Sequence, residues 1–381
     1  MDFSLSEEQR LLAESVARFL EKEYPFEKRR ALVASELGFS RDVWRQFAEL
    51  GWLGIGSPEE SGGLGGGAVE SAIVMEGIGR HLVVEPYFST VILGAGLLRQ
   101  AGAKLAPLLA ELAEGRLMLA LAHAEPRARF DLSHVETRAE RAGGGFKLSG
   151  HKAVVLGAAS ADHLIVSART SGAVAEAAGI TLFLVPKSAA GLSLLPYRTT
   201  CGQRAAEVRL AGVEVEAGQI LGALDGGAVL LERTAEEALV ALAAEAVGAM
   251  AALLAMTREY LKMRKQFGVP IGSFQVLQHR LVDMFMAHEL ARSTSEAAAR
   301  VLGDAGSAAV DRARLAAAAK VQAGRAGRLV GQEAVQLHGG MGMTDELAVG
   351  HYFKRLAMID VLFGNADHHQ RRFAELEAAP A

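Results

Sequence analysis

The sequence predicts an α+β protein in three consecutive parts: an N-terminal helical domain, a middle β-barrel-like domain and a C-terminal four-helix bundle. Three observations carry this. Apolar residues recur at helical spacing through the first part, roughly 1–116. Short apolar and β-branched runs, bounded by Gly, Asp and Ser, fill 117–224. Long alanine-rich amphipathic runs fill 225–381. Helices and strands are segregated rather than alternating, which argues against a βαβ sheet.

The elements follow in order. Leu11, Leu12, Val16 and Phe19 recur at a helical period while Glu7, Arg10 and Glu14 point outward. Further helices are expected at Asp42–Leu50, Val69–Arg80 and Leu105–Glu114. Between two of them lies the glycine-rich Ser57–Gly67 stretch. It follows no clear strand and lacks a Lys-Ser pair, so it reads as a flexible turn rather than a phosphate loop. Strands are expected at Met118–His123, Gly145–Leu148, Ala153–Leu156, His163–Ala168, Ile180–Pro186 and Ala206–Val213. The run Ala238–Met256 has the length of a membrane span but carries Glu245 near its middle. A buried bundle helix explains it better, with its alanines and Gly248 allowing close helix approach.

Composition narrows the function. Half the residues are hydrophobic, 22% are charged and the net charge is −4, with no Lys/Arg block, so a nucleic-acid partner is not expected. One cysteine, Cys201, excludes an internal disulfide and a cysteine metal cluster. The acidic, amphipathic N-terminus does not read as a secretory signal, and the expected location is cytoplasmic. His368 and His369 point about 100° apart on a helix. With no carboxylate or histidine completing a set, they read as polar or solvent contacts rather than metal ligands, as do His338 and His351.

The segment Arg264–Met284, RKQFGVPIGSFQVLQHRLVDM, is the most informative in the chain. A helix breaks at Gly268 and Pro270 and restarts with Ser273 as the expected N-cap. This puts Arg264 and Phe267 at an exposed corner, where a guanidinium and a ring can hold an anionic, aromatic ligand. With Arg264, Phe267, Gly268, Pro270, Gln275 and Met284 in place, the segment resembles the helical signature of the acyl-CoA dehydrogenases. AELGWLGIGSPEESGGLG, LSGHK and QEAVQLHGGMGMTDE extend the resemblance over nearly the whole chain.

That resemblance implies an FAD-dependent oxidoreductase of fatty acid metabolism that desaturates an acyl-CoA, with an electron-transferring flavoprotein as electron acceptor. Such a site needs a base beside the α carbon, stabilisation of the enolate-like thioester, and a flavin as hydride acceptor. In the family one set of flavin contacts comes from the subunit holding the ring, and another from its neighbour. By resemblance Arg264, Gln266, Phe267, Gln336, Gly339 and Gly340 match the neighbour's set. The first set is depleted. Ala124 stands where a hydroxyl precedes Glu125 and Pro126, and Val154-Val155-Leu156 replaces Trp-x-Thr.

The base is also missing from its usual place, which is Gly364, and Ala366 replaces a flavin-bonding Thr. The alternative glutamate position on the preceding helix is Ala238. Glu245, Glu237 and Asp367 are weak substitutes. Glu245 sits roughly 10 Å along the helix from Ala238, Glu237 is rotated by roughly 100°, and Asp367 has a shorter arm.

Three readings follow. In the first, the chain lends contacts to a sister subunit, in a pattern like the small subunit of pimeloyl-CoA dehydrogenase-type heteromeric enzymes. In the second, it is a self-sufficient homo-oligomer with a relocated base. In the third, it is a non-catalytic acyl-CoA-binding or scaffold homologue.

Overall fold

The computed structural model describes residues 4–378. In chain order the helices α1 Glu7–Glu23, α2 Phe26–Ala34, α3 Arg41–Glu49 and α4 Ala68–His81 come first, then a π-helix Phe88–Ala95, α5 Gly96–Ala101 and α6 Ala106–Ala113. The strands are β1 Leu119–Ala122, β2 Arg138–Ala142, β3 Gly145–Leu156, β4 His163–Arg169, β5 Ile180–Pro186, β6 Leu192–Arg198, β7 Arg204–Glu216 and β8 Ile220–Leu221. The long α7 Gly227–Met263, a short hairpin of β9 Lys265–Gln266 and β10 Val269–Pro270, α8 Gln275–Gly303, α9 Ala309–His338, α10 Ala348–Val361 and α11 Ala366–Ala378 complete it. The helix–sheet–helix order agrees with the expected class.

The chain packs as two compact units. One comprises Leu32–Gly66 and Val84–Ala238. Its centre is an eight-stranded sheet in the order β6-β7-β3-β2-β4-β5-β8, with β1 parallel to β4. β4 and β5 are largely buried and carry the apolar runs Leu164–Val166 and Leu182–Val185, which is why the sequence marks them well. Three strands of the sheet escape the sequence, among them the two-residue β8. β6 is an exposed edge strand carrying Pro196, and β2 reads Arg-Ala-Glu-Arg-Ala. The expected strands 145–148 and 153–156 are one strand, bent by irregularities at Leu148/Ser149 and Lys152/Val155. The stretch from Ser57 to Gly67 is an internally bonded turn rather than a flexible one. Gly65 N donates to Ser57 O and Leu64 N to Gly54 O, while Ser57 and Ser61 are buried.

The other unit comprises Met1–Ala31, Gly67–Val83 and Leu239–Ala381. Here α4 and α7 cross at backbone contact. A Cβ on Gly79 would lie 1.9 Å from Glu245 O, and one on Gly248 would lie 1.9 Å from Glu76 O. Only glycine permits that approach, as the sequence led us to expect for Gly248. The most apolar window of α7 is 72% buried, which supports a packed helix over a membrane span. Ser6 caps α1 through Gln9 in a reciprocal pair. Ser273 does not cap α8. Phe274 holds that position, and the Ser273 hydroxyl donates to Pro270 O at 2.7 Å.

Candidate active site

The hairpin after α7 is built to present a ring. Phe267 and Gly268 both have positive φ, +53° and +83°, the signature of a two-residue type I′ turn between β9 and β10. A left-handed phenylalanine is costly, since its Cβ crowds the carbonyl. Its ring is 91% exposed and meets Phe274 edge-on at 6.2 Å. Arg264 N closes the last turn of α7 on Tyr260 O at 2.8 Å, and Arg264 O accepts from Ile271 N at 2.8 Å. The Arg264 side chain is exposed and forms no hydrogen bond or ion pair among the described residues. Gln266 lies outward too and bonds back to Lys265 O.

At the end of α9 the chain turns through Gly339, with φ +58° and ψ −139°. Gly339 N donates to Gln336 O. Open space surrounds Gly339 and Gly340 where side chains would be, and both are exposed with Gln336. Thus the sequence-predicted Arg264, Gln266, Phe267, Gln336, Gly339 and Gly340 all lie on one unit as outward-facing, unobstructed groups. Free guanidinium, open glycine turn and exposed ring fit a diphosphate and a nucleoside.

The other set of positions offers no such groups. Ala124 has no hydroxyl, and its carbonyl is taken by Ala153 N at 2.9 Å. Glu125 is a structural anchor. Lys152 Nζ, wholly buried, donates to Glu125 Oε1 at 2.6 Å and to Ser167 Oγ at 3.0 Å. Backbone N–H groups of Glu136 and Thr137 donate to the same carboxylate. Burial pulls the Glu125 carboxyl upward, but Lys152 and these donors outweigh it and hold it below its ordinary range. Val154 sits at φ +54° at the irregular point of β3, an outlying conformation for a β-branched residue.

At Gly364, the position expected from the resemblance to hold a base, φ is +106°. A Cβ there would lie 2.6 Å from both His368 Cδ2 and His369 Nε2. His369 Nε2 donates to Phe363 O at 2.8 Å, and burial pushes its pKa down to about 3. Lys320 Nζ, fully buried, donates to the carbonyls of Asp360 and Gly364. Among the described hydrogen bonds, the carboxylate at this turn is that of Asp360, whose Oδ1 accepts from Ala366 N at 3.2 Å. Glu245 is closed in a two-bond pair with Arg355. Glu237 is held by Arg99 Nη2 at 3.1 Å and Gln100 Nε2 at 3.2 Å, with burial lifting its carboxyl despite Arg99. Asp367 is exposed on the first turn of α11.

The histidines are less exposed than the sequence suggested. His369 and His338 are buried, and His351 bonds Arg29 Nη1 and Asp345 O. Among the described residues no three His, Cys, Asp or Glu side chains converge as metal ligands.

Comparison with known proteins identifies the family. The acyl-CoA dehydrogenase N-terminal, middle and C-terminal domain models match residues 6–105, 120–214 and 225–376. A probable acyl-CoA dehydrogenase, YngJ of Bacillus subtilis, is 31% identical, over 96% of this chain and 97% of that protein. The ChsE4–ChsE5 complex from Mycobacterium tuberculosis contains a chain that superposes with a TM-score of 0.89 at 28% identity, covering 100% of both. A Tcur3481–Tcur3483 steroid ACAD gives 0.87 at 31%, covering 98% and 99%. The chain is a member of the acyl-CoA dehydrogenase family of FAD-dependent oxidoreductases.

Proposed function

We propose that this chain is the supporting subunit of a heteromeric acyl-CoA dehydrogenase. It lends Arg264, Gln266, Phe267, Gln336, Gly339 and Gly340 to a flavin seated mainly in a sister subunit. FAD, when bound, supplies the hydride acceptor for α,β-desaturation of an acyl-CoA. The observation that carries this reading is the asymmetry between the two sets of positions. One set is exposed, while the other lacks its hydroxyls at Ala124, Leu156 and Ala366 and its base at Gly364. The ring of Phe267, almost wholly in water, supports it further, because an aromatic side chain gains only when a surface covers it. Two of the similar solved structures are named as paired proteins.

The reading includes a division at 1–116, 117–224 and 225–381, a cytoplasmic location and electron delivery to an electron-transferring flavoprotein. Glu245 and Glu237 are both engaged by arginines, so a base relocated to either has little support. The visible spectrum of the purified chain, alone and with its co-purifying partner, tests the proposal. A flavin band only in the presence of the partner is expected. Full FAD occupancy and turnover by the chain alone would overturn it in favour of a self-sufficient homo-oligomer. A colourless protein in every mixture would leave a scaffold homologue.

A further inference from the structure

We infer that Tyr260 and His338 form a positioning pair that fixes the Arg264 hairpin against the glycine turn, so that both grip one ligand. The inference rests on the reading above, in which the two elements hold the same flavin.

The two elements end different helices, about 75 residues apart in sequence, so their mutual placement depends on tertiary contacts. The ring stack is one such contact, made directly between the two helix ends. The Tyr260 and His338 centroids lie 4.4 Å apart with planes inclined by 30°. Each ring belongs to the residue that precedes or closes onto a ligand-facing element, and of the two only the His338 ring is bonded to its own helix. Tyr260 O accepts the N–H of Arg264, so the tyrosine anchors the last turn before the hairpin. His338 is the last residue of α9, directly before Gly339. Its Nδ1 donates to Ala334 O at 2.8 Å, which locks the ring on its own helix. The turn then folds back over it, because a Cβ on Gly342 would come within 3.1 Å of His338 Cβ. The hairpin is held from the other side as well, where Gly272 packs on the Leu261 carbonyl. His338 is buried while the groups it supports are exposed, the arrangement expected of a support rather than a contact.

The test uses the assembly co-purified from its own host and measures FAD dissociation by the fluorescence of released flavin. Tyr260→Leu and His338→Leu are each expected to weaken FAD binding by about 3- to 10-fold, the range for loss of one ring pair. Tyr260→Phe keeps the ring and is expected to bind as the unaltered protein does. Thr257→Ser, a buried change one turn earlier on α7, reports general loosening and is expected to leave FAD affinity unchanged. In the double Leu variant the losses should not add, since both remove one contact. If the unaltered assembly holds FAD and the Leu variants hold it equally well, or if Thr257→Ser weakens it as much, the positioning role is wrong while the subunit reading stands. If the unaltered assembly holds no FAD, both fall.

Discussion

Arg355 grips Glu245 through two parallel 2.6 Å bonds, Nε to Oε1 and Nη2 to Oε2, with both side chains under 5% exposed. This joins α10 to the middle of α7 and accounts for a carboxylate in an alanine-rich helix. Removing one partner strands the other charge. Glu245→Gln or Arg355→Met should each cost about 3–5 kcal/mol in urea unfolding. Replacing both with Leu and Met should recover most of that. A Glu245→Gln protein of unchanged stability would show that the pair is not what holds this crossing.

The Lys152–Glu125 pair ties the segment after β1 to β3, since Glu125 also takes the N–H groups of Glu136 and Thr137. Lys152→Met should destabilise by about 3–5 kcal/mol. Adding Glu125→Gln should recover part of the loss, because a neutral amide is cheaper to bury. Chemical denaturation of the two variants side by side measures this.

Gly79 and Gly248 allow the α4–α7 crossing. Gly248→Ala places a methyl on Glu76 O and must push the helices apart, at about 1–3 kcal/mol or more. Gly218→Ala, where open space surrounds the glycine, should shift the unfolding midpoint far less.

Acid should destabilise the fold through its histidines. Burial is the main cause holding His81, His123, His288, His338, His351, His368 and His369 below the ordinary histidine value, His123 at about 4 and His369 at about 3. The unfolded chain takes up these protons near pH 6.5, while the folded chain refuses them. Stability from these groups is therefore complete above about pH 6.5 and is lost as pH falls toward their folded values. Glu76 and Glu237, lifted mainly by burial, oppose the trend as pH falls through their raised values. Urea midpoints should decline from pH 7 to pH 5, and a rise over that interval would contradict the assignment.

The helical parts were legible because their apolar period is regular. The expected helices Asp42–Leu50 and Val69–Arg80 lie within a residue of α3 and α4, and the expected strand Ile180–Pro186 coincides with β5. The π-helix Phe88–Ala95 was not read, because all eight residues are buried and no apolar period distinguishes a π turn from an α turn. The edge strand β6 was missed for the opposite reason, since exposure gives it no hydrophobic signature.

The sequence alone determined the family, through Arg264, Phe267 and the Gln336–Gly340 run, and it determined that Ala124, Leu156, Gly364 and Ala366 carry no hydroxyl or carboxylate, which is a fact of composition. Tertiary structure decided what the remaining charges do. Glu245, Glu237 and Glu125 are chemically alike in sequence, and only folding brings Arg355, Arg99 and Lys152 against them from far along the chain. A carboxylate's role depends on the charge beside it and the water excluded around it, and helical period or strand alternation records neither.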